Sequence, residues 1–195
     1  MTLKTPETEA SPLIFDNTVL SNFALVEAFD ILQKLYVGRA YVGQAVLEEI
    51  RAGIESGWQY PWLRSRTRLE AVNQAIAAGW LQLPSSQGNS EQESWELQLA
   101  QEYRQRFGAG EAESMALAQT RNWVLATDDG AARRLATQLG IRLTGTLGIL
   151  VKATSLSILS LSDADAIHAR MVDVGYRSPL PYEKGISSFL NRPRL

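Results

Sequence analysis

Five carboxylates in this 195-residue chain stand where chemistry could use them. Asp16 closes the short apolar run Leu13-Ile14-Phe15, and Asp128 with Asp129 closes Trp123-Val124-Leu125-Ala126-Thr127. Glu49 and Glu111 lie on segments whose apolar residues recur at helical spacing. Acids gathered on one rim repel one another unless a cation or a proton comes between them. A set of ligands made only of oxygen favours Mg²⁺ or Mn²⁺ over zinc. One or two such ions lower the pKa of a bound water and stabilise the oxyanion of an in-line attack on a phosphodiester, with no protein nucleophile required.

The elements that must position these acids alternate between strand and helix, which implies right-handed crossovers and a mostly parallel sheet covered on both faces. In such sheets ligands bind at the C-terminal ends of the strands, where Asp16 and Asp128-Asp129 fall. Helical spacing predicts one helix from Asn22 to Leu35, closed by Gly38, and a short one from Ala45 to Ala52, ended by Gly53. Gly57 to Trp62 reads as an aromatic turn, Leu69 to Ala78 as a helix, Trp80 to Leu83 as the segment after it, and Pro84 to Gly88 as a loop. Helices follow over Glu93–Phe107, Glu111–Thr120, Ala131–Leu139 and Asp163–Val174, with a glycine break at Gly108 to Gly110 and short strands at Tyr41-Val42 and Ile141–Thr144. A proline-bearing tail begins at Gly175.

Composition narrows the classes. There is no cysteine, which excludes disulfides, thiolate zinc sites and a cysteine nucleophile, and fits a reducing, cytoplasmic setting. No apolar stretch reaches the ~20 residues of a membrane helix, and Met1 to Ser11 lack the pattern of a signal peptide, so a membrane partner is not expected. A net charge of −2 argues against a broadly basic surface, so any nucleic-acid contact has to be local.

Leu13 to Phe23 resembles the opening strand motif of PIN domains, and Ala45-Val46-Leu47-Glu48-Glu49-Ile50 resembles their second acidic motif. Gly108 to Ala118 and Leu125-Ala126-Thr127-Asp128-Asp129 resemble the third and fourth, in the same order. Ala131 to Ala136 and Leu143-Thr144-Gly145-Thr146-Leu147-Gly148-Ile149-Leu150 are similar to a subgroup of PIN-like proteins. The resemblance covers about residues 12 to 160 and leaves 161 to 195 as a C-terminal helical extension and tail. It implies a three-layer α/β/α fold and metal-dependent cleavage of RNA, most familiarly by the toxin of a toxin–antitoxin pair. An antitoxin protein and a homodimer are partners it implies.

Carried over residue by residue, Asp16, Glu49, Glu111 and Asp129 match the four family acids, with Mg²⁺ or Mn²⁺ as the metal. Glu49 is taken because it directly precedes Ile50, which leaves Glu48 to solvent. Glu113 competes with Glu111, but residues two apart on a helix differ in direction by ~200°, so both cannot easily face one ion. Asp128 remains a candidate ligand or a support for the ligands.

Plainer readings apply to each residue alone. Asp16 and Asp129 could be helix N-caps, and Glu48, Glu49 and Glu113 could be a solvated helix face. Arg133 and Arg134 are more simply exposed helix arginines than phosphate ligands, and His168 receives no role. Arg64, Arg66 and Arg68 beside Trp58, Tyr60 and Trp62 could grip and stack single-stranded RNA or pack on a partner chain. The functional alternative is a catalytically silent PIN-like scaffold that binds RNA or protein. A phosphotransferase with an aspartate nucleophile would want Asp-x-Asp at the first strand, where Thr18 fills the second place.

Overall fold

The computed structural model describes residues 11–85, 90–180 and 184–190, with the side chains of 61–64 and 189–190 left aside. Its strands are β1 (Leu13–Phe15), β2 (Ala40–Val42), β3 (Leu81–Gln82), β4 (Val124–Ala126) and β5 (Leu143–Thr144). Its helices are α1 (Asn17–Leu25), α2 (Asp30–Tyr36), α3 (Gln44–Gln59), α4 (Glu70–Ala77) and α5 (Ser90–Tyr103) in the first half. They continue as α6 (Ala109–Thr120), α7 (Gly130–Gln138), α8 (Thr146–Ser155), α9 (Leu161–Asp173) and α10 (Ile186–Leu190), with a 3-10 stretch over Pro61–Leu69.

The five strands pair in parallel in the order β3-β2-β1-β4-β5. Chain direction across the sheet reverses between β1 and β4: connections run outward from β1 to β2 and β3, then return over α5 and α6 to β4. A crevice opens at such a switch point, beyond the C-terminal ends of the two strands.

Side chains alternate across the sheet, so its two faces feed two apolar clusters. Leu13, Phe15, Ala40, Val42, Leu81 and Ala126 join one, together with residues of α1, α2, α3, α8 and α9. Ile14 and Leu125 join the other with Leu99, Met115, Ala116 and Ala136 from α5, α6 and α7. The result is the expected α/β/α sandwich.

Three local differences from the sequence reading have clear causes. The single helix expected over Asn22–Leu35 is two, because Glu27 adopts φ 58°, a left-handed conformation that ends α1. Apolar residues continue at helical spacing on both sides, so periodicity hides the break. α1 also starts earlier, at Asn17, where the Asp16 carboxylate accepts from its backbone N–H.

Gly53 does not stop α3, which runs on to Gln59. A Cβ on Gly53 would stand 3.0 Å from Leu69 Cδ1, so this glycine lets the 3-10 stretch pack down on the helix. Aromatic residues expected in a turn therefore belong in part to α3, where Trp58 remains exposed. The loop expected over Pro84–Gly88 falls partly outside the described residues, as do the side chains of Trp62 and Arg64 and much of the proline-bearing tail.

Candidate functional site

Asp16 leaves β1 and immediately caps α1, which turns its carboxylate inward at the switch point. It is only 1 % exposed. Oδ1 accepts from Asn17 N at 2.6 Å, and Oδ2 accepts from the hydroxyls of Thr18 and Thr127, both at 2.9 Å. Burial pushes its pKa up, hydrogen bonds from Thr18, Thr127 and Asn17 pull it back in part, and the charge of Glu49 raises it again.

At the end of β4 the two neighbouring acids part company. Asp129 caps α7, accepting from Ala131 N at 2.8 Å and Ala132 N at 2.7 Å, both through Oδ1. Asp128 turns the other way: Oδ1 accepts from Thr146 N at 2.9 Å, and Oδ2 from Thr146 Oγ1 at 2.5 Å and Asn22 Nδ2 at 3.1 Å. Tyr176 adds its hydroxyl to the same group, and its pKa is raised by burial and by the charge of Asp128. Asp128 thus ties the end of β4 to α1, α8 and the segment after α9.

The glutamates arrive from helices. Glu49 of α3 bridges the start of α6 and the start of α1: Oε1 accepts from the Gly110 backbone N–H at 2.9 Å and Oε2 from the Asn17 side-chain Nδ2 at 3.1 Å. A Cβ on Gly110 would fall 3.0 Å from that Oε1, which explains the glycine at the start of α6. Glu111, in the first turn of α6, lines the cleft. Burial and then the charges of Asp16 and Asp129 push its carboxyl up; a hydrogen bond from the Gly108 backbone lowers it, Glu49 adds to the rise, and it lies at about 7. Glu113 faces away from this group and accepts from Gln44 N at 3.2 Å and Ala45 N at 2.7 Å, capping α3.

A cleft of about 530 Å³ opens over this rim, lined among others by Asn17, Asn22, Glu111, Asp128, Asp129 and Tyr176. Among the described residues, no three Asp, Glu or His side chains form a finished metal cage. The donor chemistry nevertheless fits a hard divalent cation: Asp16, Glu49, Glu111 and Asp129 offer only oxygen, and Glu111 feels the charges of the other three.

Several residues of this site had no single signal in the sequence. Thr127 is a buried hydroxyl that braces Asp16, and Asn22 reaches Asp128 and Thr146 from α1. Tyr176 and Arg177 line the cleft from the expected tail. His168 is buried and pairs through Nε2 with Ser178 Oγ at 2.8 Å, holding that tail segment against α9. Arg133 donates to the carbonyls of Thr127 and Thr144 at 2.8 and 2.7 Å, lacing β4 to β5. No described residue of the aromatic segment lines the acid cleft, and Arg68 there pairs with Glu27 at 3.1 Å.

A family model described as a PIN domain matches residues 12–188. The chain belongs to this PIN-domain family. No curated protein matches it. The match reaches through α9 into α10, so it takes in Tyr176 and Arg177 as well as the four acids. The PIN domain is a nuclease-type fold whose members are generally hydrolases using divalent metals such as Mg²⁺. No helix among the described residues is long and apolar enough to cross a membrane.

Proposed function

We infer that this PIN domain is a metal-dependent endoribonuclease in which Asp16, Glu111 and Asp129 hold Mg²⁺ or Mn²⁺ and Glu49 assists. The observation that carries this reading is the crowding of acids: Glu111 feels Asp16, Asp129 and Glu49 together at the switch point of the sheet. Like charges held this close are costly to keep unless a cation neutralises them. When bound, the ion supplies Lewis acidity toward the phosphate oxygens and lowers the pKa of water.

The chain's own residues do the rest. Thr18 and Thr127 fix the orientation of Asp16 by donating to Oδ2. Asn17 and the Gly110 backbone fix Glu49, and the α7 backbone fixes Asp129 through Oδ1, in a residue that lines the cleft. Asp128, tied by Thr146 and Asn22, holds the rim in place as a positioning residue.

Incubating end-labelled single-stranded RNA with the protein and with Asp16→Asn, in Mg²⁺, Mn²⁺ or EDTA, tests the reading. Cleavage by the wild type alone, lost in EDTA, is expected. The Asn amide can still meet the Thr18 and Thr127 hydroxyls, so an unchanged fold by circular dichroism should accompany the loss. Full activity in Asp16→Asn would remove Asp16 from the site. RNA binding without cutting in any metal would favour a silent scaffold, and an antitoxin or a second copy of the chain would then be sought as its partner.

A further inference from the structure

A second cleft of about 420 Å³ adjoins the acid cleft, and the two share Asp128, Gly130, Tyr176 and Arg177 as their common lip. Its own walls are apolar at Leu143, Leu147, Pro179 and Tyr176, with Thr144 and Arg133 between them, and Arg133 is already committed to the carbonyls of Thr127 and Thr144. The volume falls within the ~300–1,000 Å³ of small-ligand pockets. Two arginines flank the lip. Arg177 is exposed and lines both clefts, and Arg134 is exposed with Nη1 3.5 Å from where a Cβ on Gly130 would lie. Among the described residues neither has a hydrogen-bond or ion-pair partner, whereas Arg39, Arg68, Arg121, Arg133 and Arg142 are all bonded within the fold. In a chain of net charge −2, two uncommitted guanidinium groups at the mouth of an apolar cleft, beside an acid site, call for an anionic ligand with an apolar part.

We propose that this second cleft seats one unstacked nucleobase of the RNA, next to the bond that is cut, while Arg177 and Arg134 hold the phosphate on the lip. The proposal rests on the nuclease reading and names how its substrate is held. A paired base cannot enter a cleft walled by Leu147 and Pro179, so the substrate is single-stranded at that position. With Leu143, Leu147, Pro179 and Tyr176 on its walls and Arg133 bonded to backbone carbonyls, the subsite holds a base mainly by its apolar faces and is tolerant of base identity. The phosphate grip places local positive charge beside the acids in a chain of net charge −2.

The test is fluorescence anisotropy with a labelled single-stranded oligoribonucleotide in Mg²⁺, using the full chain carrying Asp16→Asn so that the RNA stays whole. Arg177→Ala on that background is expected to lower the slope of log affinity against log salt by about 0.7, which is about five-fold in affinity at 0.1 M salt. Arg177→Lys should keep the slope. Moving one abasic nucleotide along the strand should weaken binding on the order of ten-fold at a single position. RNA binding that ignores base loss everywhere, with an unchanged salt slope in Arg177→Ala, would overturn the subsite, while cleavage by the wild type would leave the nuclease reading standing. No RNA binding together with no cleavage by the wild type would overturn both.

Discussion

Burial and the neighbouring acids work against stability at Glu111. Its carboxyl lies at about 7 in the folded chain against an ordinary 4.5. Between those values the folded protein keeps a proton that the unfolded chain has released, so its contribution to stability falls as pH rises across that window. Glu111→Gln removes the charge and should raise stability at pH 8 without metal by about 1 kcal/mol after allowance for solvent screening, roughly 2–4 °C in melting temperature. The same change should abolish the thermal stabilisation that Mg²⁺ gives the wild type. Calorimetry with EDTA and with Mg²⁺ checks both; a wild type indifferent to Mg²⁺ would count against a metal at this rim. Residue by residue, Asp16 and the Asp128-Asp129 pair stand out in the sequence because each closes an apolar run, whereas Glu49 and Glu111 stand out only beside the motifs of helical segments. The sequence did not show that adjacent Asp128 and Asp129 turn opposite ways, because that depends on α8 and Tyr176 arriving from more than fifteen positions further on.

At the scale of elements, α5 and α6 are clamped by a buried ion pair. Arg121 Nε and Nη2 donate to the two oxygens of Glu96 at 2.7 and 2.8 Å, and Thr120 and Gln92 add hydrogen bonds to Oε1. Burial pushes the Glu96 pKa up, but Arg121 and these donors outweigh it and the net shift is downward. The stabilisation is therefore present above the ordinary 4.5 and is lost as pH falls through the lower folded value. Glu96→Gln leaves Arg121 buried without its counter-charge and should cost about 3 kcal/mol in urea denaturation at pH 7. Since α6 carries Glu111, a milder loss of cleavage should accompany it. Pairings of this kind are invisible in a sequence, where Glu96 reads as one more acid on a polar helix. Helix breaks follow the same logic: Gly53 looked like a stop and is a packing site, while Glu27 looked like helix and is the stop.

For the whole molecule, alternation of strand and helix was enough to give a parallel sheet and to send the acids to its C-terminal edge. The strand order was not legible, because two- and three-residue strands carry too little pattern to choose neighbours. Nor was the wall that the tail lends to the cleft. His168 anchors that wall, and burial pushes its pKa down despite the nearby Asp165. As pH falls below the ordinary 6.5 the unfolded chain takes up a proton first, so this contribution to stability falls as pH falls. Glu111 has the opposite slope over an overlapping range, so the wild-type profile should be flatter than that of either single variant. Melting curves of Glu111→Gln and His168→Asn between pH 5 and pH 8 check this: the first should lose stability more steeply toward acid, and the second should lose it more steeply toward base.

The cleft takes Asn17 and Thr18 from the start of the fold and Tyr176 and Arg177 from near its end. A chain still being synthesised can form β1, β2 and the first helices with their acids, yet the cleft wall made by Tyr176 and Arg177 does not exist until α9 and the segment after it have emerged and docked. On the proposed nuclease reading, that order of assembly withholds the finished site until the segment after α9 has been made.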